Sequence, residues 1–202
     1  MKSACFTGHR NLTGDISQLE ERLYNVLERA ITNAGITDFY CGAAIGFDEV
    51  CSKTILKLRV NYPQIKLHLI LPCSPQEQTA KWNEVQRSEY MRVLAAADTV
   101  EQTSQYYYNG CMKRRNARLV ELADCCFCFL NTNNSRSGTA QTVRMALNKR
   151  IEMESETIAA VNRINKNGQL SPEPNLSYHK SLKTGSAYSA MARAARRFDM
   201  TV

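Results

Sequence analysis

Cys125-Cys126-Phe127-Cys128-Phe129-Leu130, then the polar loop Asn131-Thr132-Asn133-Asn134-Ser135-Arg136, then Ser137-Gly138-Thr139: this stretch decides the reading of the chain. Six apolar residues in a row, without alternation, have the length and character of a strand buried on both faces. Ala123-Asp124 closes a helix before it, and residues 140–149 have helical spacing after it. Residues 117–145 therefore read as helix, buried strand, loop, helix. A loop that leaves a buried strand and enters a helix N-terminus presents unpaired backbone N–H groups and the positive end of the helix dipole. Both attract anions, phosphate above all. Gly138 allows the backbone close to a ligand, and the Thr139 hydroxyl can cap the helix or bond a phosphate oxygen. An ordinary turn between strand and helix, capped by threonine, would have the same sequence, so the rest of the chain must decide.

Working outward, residues 3–7, 38–41, 65–71 and 98–103 read as further strands, with a short edge strand near residues 150–153. Between them lie amphipathic helices. Ile16, Leu19, Leu23, Val26, Leu27, Ala30 and Ile31 recur at helical spacing behind Asp15 as N-cap. Phe47, Val50, Cys51, Ile55 and Leu58 mark a second helix, and Trp82, Val85, Val93, Leu94 and Ala97 a third. A tyrosine-rich loop (Tyr106, Tyr107, Tyr108, Asn109, Gly110) leads into a basic helix that opens at Cys111. Strands alternating with helices predict an α/β fold, a Rossmann-like, doubly wound, mainly parallel sheet with right-handed crossovers. Ligands of such sheets sit beyond the C-terminal ends of the strands. The turns that follow strands here carry Gly8-His9-Arg10, the run from Gly42 through Gly46 to Asp48, Pro72-Cys73, and Ser137-Gly138-Thr139. All fall on one edge of the sheet, which makes that edge the expected ligand site.

Length and composition agree with this. The 202 residues suit one such domain, placed at residues 1–153, followed by a C-terminal appendage at residues 154–202. In the appendage, residues 155–165 are helical in pattern, and residues 166–185 are polar, with Pro172 and Pro174. Residues 187–198 are rich in alanine and arginine and read as a helical extension. No apolar run approaches the ~18 residues that would span a bilayer, and no leader pattern precedes the first strand. A cytoplasmic protein with no membrane association is expected. The eight cysteines are scattered, mostly inside apolar runs. The pair Cys125 and Cys128 falls within a strand with no second pair facing it, so buried thiols are expected and a metal site is not. Net charge is +7, with one dense cluster at Lys113-Arg114-Arg115. That suits an anionic small ligand as well as nucleic acid.

Among single residues, Arg115 carries the most weight. A guanidinium near a helix start and a phosphate turn offers a two-pronged grip on phosphate. A solvated surface arginine is the plainer reading, and it suits Arg114 and Arg118 better. His9 directly follows a strand end, where ligand contact is the better reading. Asp48, just past two glycines, can cap a helix or accept a ribose hydroxyl. Asp98 and Asp124 read as capping or pairing groups. Trp82 and the tyrosines read as core or lid, with base stacking as the sharper alternative.

The pieces Thr7-Gly8-His9-Arg10, Gly42-Ala43-x-x-Gly46-x-Asp48, Pro72-Cys73 with Gln76-Glu77, Tyr108-Asn109-Gly110-Cys111-Met112-x-x-Arg115-Asn116 and Ser137-Gly138-Thr139-Ala140-x-Thr142-Val143-Arg144 together resemble the SLOG superfamily. That superfamily is named for the Smf/DprA and Lonely Guy proteins, and within it the chain resembles the YpsA-like family over roughly residues 3–153. The resemblance implies a fold that binds nucleotides or nucleotide-derived, phosphate-containing ligands as a sensor or sequestering module. The site it implies comprises Gly8, His9, Arg10, Gly42, Gly46, Asp48, Pro72, Arg115, Asn116, Ser137, Gly138 and Thr139. No cofactor and no metal is implied, and a homo-oligomer is expected. Two alternatives come from other branches. One is hydrolysis of nucleoside 5′-monophosphates, as in Lonely Guy phosphoribohydrolases; the other is DprA-like binding of single-stranded DNA. The hydrolase motifs have the forms M-H-x-R-K and G-G-x-G-T-x-x-E. Here Lys113 replaces the histidine, Asn116 the lysine, and Thr142 the acid that glycosidic chemistry would use. The DNA reading has basic charge in its favour and lacks an aromatic–basic groove signal.

Overall fold

The structure is a computed structural model that describes residues 2–12, 14–130, 137–149 and 152–154. The loop at 131–136 and the expected linker and helices of residues 155–202 lie outside the described residues. Six strands, β1 (Lys2–Gly8), β2 (Ile36–Cys41), β3 (Lys66–Leu71), β4 (Thr99–Gln102), β5 (Cys125–Phe129) and β6 (Glu152–Glu154), form one sheet in the order β4-β3-β2-β1-β5-β6. Every pairing is parallel, so the expected α/β doubly wound architecture holds throughout the described strands.

Six helices join the strands: α1 (Ile16–Thr32), α2 (Phe47–Leu58), α3 (Pro75–Thr79), α4 (Glu84–Ala96), α5 (Cys111–Leu122) and α6 (Gly138–Asn148). Helices α1, α2 and α4 share one core with the sheet, built from residues such as Leu23, Leu27, Phe47, Ile55 and Tyr90. Helices α5 and α6 close the other face through Leu119, Val120, Val143 and Ala146. Because β4 is followed by α5 and then by β5 on the far side of β1, the winding reverses between β1 and β5. In sheets of this kind ligands bind at such a reversal, outside the C-terminal ends of the strands. The apolar run at 125–129 behaves as its pattern requires, with all five residues buried. Phe6 links it to β2, stacking on Phe39 at 6.0 Å and on Phe127 at 5.8 Å between centroids. Full burial of such rings contributes roughly 1.5–3 kcal/mol each.

Helix starts follow side-chain chemistry. The Asp15 carboxylate accepts the Ser17 and Gln18 amides at 2.9 and 3.3 Å, as its position in the sequence predicted. Three expectations are corrected. The third predicted helix is α4 and starts later than its pattern, at a capping box of Asn83 and Gln86, so Trp82 lies before it, after a short, unexpected α3 that Ser74 and Pro75 start. Val85 is exposed rather than core-facing. Helix α6 begins at Gly138, and its cap is Ser137, whose hydroxyl accepts the Ala140 amide at 3.1 Å, while Thr139 is buried. Asp98 and Asp124 pair, as expected. Asp98 takes Arg59 at 2.6 Å and the Leu67 amide at 2.8 Å, and Asp124 takes the Ser3 amide and hydroxyl.

Candidate functional site

The turns after β1 and β2 meet first. The Phe47 amide donates to the His9 carbonyl at 3.1 Å, fastening the start of α2 to the turn at residues 8–10. Gly46, at φ +85°, makes this possible. A Cβ there would lie 2.2 Å from the Arg10 carbonyl oxygen, so both the left-handed backbone and the contact require glycine. Gly8 is packed equally tightly, against the Phe47 side chain. Ala43, also in the β2–α2 turn, holds a positive φ of 50° and is anchored by the Gln78 amide group, which donates to its carbonyl at 3.2 Å. Strained backbone of this kind persists only where its surroundings enforce it.

Arg115 then crosses from one helical layer to the other. It leaves the second turn of α5, passes over the end of β2 at Gly42, and donates from Nη1 to Asp48 Oδ2 in α2 at 3.0 Å. Both side chains are over nine-tenths buried. A Cβ on Gly42 would sit 0.9 Å from that Nη1, so the glycine is the passage through which the guanidinium reaches its partner. Asp48 is therefore neither a helix cap nor solvent-facing: the N-cap of α2 is Gly46, with no side-chain cap, and the carboxylate neutralises Arg115. The remaining donors of Arg115 are poorly used. Among the described residues Nη2 reaches only the soft Met112 Sδ, at 3.9 Å, and Nε is buried without a partner. A buried donor without an acceptor costs about 1–3 kcal/mol.

The exposed Arg10 also donates to Met112 Sδ at 3.9 Å, so two guanidinium groups converge on one thioether in the first turn of α5. That turn follows Gly110 and has no side-chain cap. Lys113 and Arg114 are exposed there, whereas Arg115 is buried, so the basic cluster of the sequence divides into a surface part and an interior part. Arg118, read as a solvated arginine, is instead half-buried and held by Glu101 at 2.9 and 3.2 Å and by Glu121 at 3.1 Å. His9 lies edge-on to Phe129 at 6.4 Å, and burial holds its imidazole below the ordinary histidine value.

The other expected site residues occupy the same edge. The register Gly8↔Phe129 brings the C-terminal ends of β1 and β5 level, and α6, the helix that follows β5, opens with Ser137, Gly138 and Thr139. Gly138 is exposed, and a Cβ there would meet nothing within 4 Å. Pro72 is buried at the end of β3, its carbonyl accepting the Thr103 hydroxyl at 3.2 Å, and Asn116 is half-buried beside Arg115. Thr142 is fully buried and donates its hydroxyl to the Gly138 carbonyl at 2.9 Å. Sequence reasoning missed the scaffold beneath this edge, namely Gln78 on Ala43 and the Tyr90 hydroxyl donating to Gln78 Oε1 at 3.3 Å. The signal was Ser74-Pro75, a cap followed by proline at the first helical position. All eight cysteines are buried, and burial, with Asp48 nearby, pushes the Cys41 thiol up to about 12, far from reactive thiolate character. Among the described residues no helix is long and apolar enough to cross a membrane.

This doubly wound, all-parallel sheet, with its glycine-rich turns gathered at one edge, defines a Rossmann-like α/β protein. Residues 5–163 match the family described as the YspA SLOG family, and the chain belongs to it. Among its relatives, the UPF0398 protein BH1768 of Halalkalibacterium halodurans is 26% identical over 118 residues, 57% of this chain and 59% of that protein. The chain thus matches little more than half the length of that relative. The SPbeta prophage-derived protein YoqJ of Bacillus subtilis is 26% identical over 141 residues, 64% of this chain and 80% of that protein. The X-ray structure of DNA processing protein A (DprA) from Streptococcus pneumoniae superposes with a TM-score of 0.54 over 75% of this chain and 49% of that one. At 14% identity, this is a likeness of fold alone.

Proposed function

We propose that the chain binds a nucleotide or nucleotide-derived ligand by its phosphate at the C-terminal edge of the sheet, as a sensing or sequestering module. The observation that carries this reading is the buried Arg115, paired on one side with Asp48 and left with an unpartnered Nε and a thioether-bound Nη2 on the other. Arg10 adds a second, exposed guanidinium to the same spot, and the uncapped first turn of α5 adds backbone donors. A phosphate oxygen is a far better acceptor for these groups than sulfur, because charge-assisted hydrogen bonds are about twice as strong as neutral ones. Hydrolysis of the ligand has less support. The acid position of the hydrolase motif is Thr142, whose hydroxyl is turned into its own helix, and Asp48 is engaged by Arg115.

Thermal unfolding against a panel of mononucleotides, cyclic dinucleotides and ADP-ribose derivatives tests this. At a hundredfold excess over its Kd, a ligand of the native state adds ~2.7 kcal/mol, which is roughly 5–10 °C in Tm for a domain of this size. Phosphorylated members should raise Tm, and the matching free nucleosides should not. A panel with no phosphate-dependent shift at millimolar concentration would reject the reading.

A further inference from the structure

Three adjacent aromatic side chains, Tyr106, Tyr107 and Tyr108, are 69%, 55% and 41% exposed. Rings of this size ordinarily bury most of their surface, and Tyr and Trp left accessible together are typical of binding surfaces. The loop that presents them is pinned at each residue. The Ser104 hydroxyl donates to the Tyr106 carbonyl at 2.9 Å, the Tyr107 amide donates to Glu77 Oε2 at 3.4 Å, and the Tyr108 carbonyl accepts the Cys111 amide at 3.1 Å. The rings therefore stand on an ordered backbone. Four residues after Tyr108 comes Met112, the atom pair's meeting point for Arg10 and Arg115. Exposed Lys113 and Arg114 follow, so the tyrosine-rich loop and the basic cluster of the sequence are both open to solvent around the start of α5.

We infer that this tyrosine loop is the base-binding platform of the site, with Tyr108 as the ring on which the base stacks. The inference rests on the phosphate-binding reading above and names the ligand class more closely: a nucleoside carrying a terminal phosphate. Tyr108 is singled out because it is the least exposed of the three and stands two residues before Gly110, the N-cap of α5. A stacking platform needs one face supported and the other open, and every base offers a π-face to it. A terminal phosphate is favoured over a phosphodiester within a longer strand because Arg115 is buried: a group that ends at the guanidinium fits, and one that must continue past it does not.

Calorimetric titration of the full chain with adenosine monophosphate and with ribose 5-phosphate separates base from phosphate. The wild-type chain should bind the nucleotide at least tenfold more tightly. Tyr108→Ala should weaken nucleotide binding by about five- to 150-fold, the range that loss of a stacked aromatic gives, and leave ribose 5-phosphate unchanged. Tyr108→Phe should retain nucleotide affinity, and Tyr108→Leu, which keeps bulk without a π-face, should behave as the alanine variant. Equal affinity of the wild type for both probes, or a Tyr108→Ala variant with normal Tm and unaltered nucleotide affinity, would overturn the platform while leaving the phosphate site standing. Failure of both probes to bind would reject the phosphate site and the platform with it.

Discussion

Replacing Gly42 with alanine should destabilise the chain by about 3–5 kcal/mol, the cost of breaking a buried ion pair and leaving one charge behind. The added Cβ would sit 0.9 Å from Arg115 Nη1 and 2.7 Å from Asp48 Oδ2, so the guanidinium cannot keep its place. If it swings out, Asp48 stays in the interior with, among the described residues, the Ala44 amide at 3.5 Å as the remaining partner of its side chain. Urea unfolding of Gly42→Ala measures the loss, and the double variant Gly42→Ala/Asp48→Asn identifies its source. Removing the stranded charge should restore a large part of the stability, because a neutral amide is far cheaper to bury than a carboxylate. An unchanged midpoint for Gly42→Ala would mean that Arg115 does not cross the sheet at this glycine.

Gly138→Asp should have the opposite profile, with normal folding and no ligand binding. Nothing lies within 4 Å of its Cβ position, and no left-handed backbone is involved, so the fold has no need of a glycine there. An aspartate in the first turn of α6 would also interact favourably with the helix dipole, by about 0.3–1 kcal/mol. Tm should therefore hold or rise slightly. The same carboxylate would face an incoming phosphate beside Arg10, and repulsion together with bulk should abolish nucleotide binding in calorimetry. Gly138→Ala separates the two contributions, since it adds the Cβ without the charge. A Gly138→Asp variant that binds adenosine monophosphate as the wild type does would move the phosphate away from this turn.

The fold was legible because its strongest signals are local. An unbroken apolar run at 125–129 has few alternatives to a doubly covered strand, and Asp15 ahead of leucines at helical spacing has few alternatives to a helix start. The alternation of such elements then restricts the topology. The convergence of Gly8, Gly46 and Gly138 on one edge followed from topology alone. The contacts did not. That Asp48 pairs with Arg115, 67 residues away in sequence, depends on a helix crossing the far face of the sheet and on the missing side chain of Gly42. No periodicity encodes that distance. The division of Lys113-Arg114-Arg115 into two exposed cations and one buried one is likewise a matter of helix phase against a neighbour, and the exposure of the three tyrosines depends on what does not cover them. Short helices such as α3 escape a reading that looks for repeated apolar spacing, because one turn has too few residues to show a period.

Amide and arginine side-chain NMR of the 15N-labelled chain, titrated with adenosine monophosphate, tests most directly the claim that phosphate is held at the C-terminal edge by Arg115 and its surroundings. The account predicts that the Arg115 Nε–H resonance moves most, since that donor is buried without a partner, together with the amides of Met112, Lys113, Gly138 and Thr139. Saturating shifts confined to the opposite ends of the strands, near Lys2, Lys66 and Thr99, with Arg115 Nε–H unmoved, would contradict it.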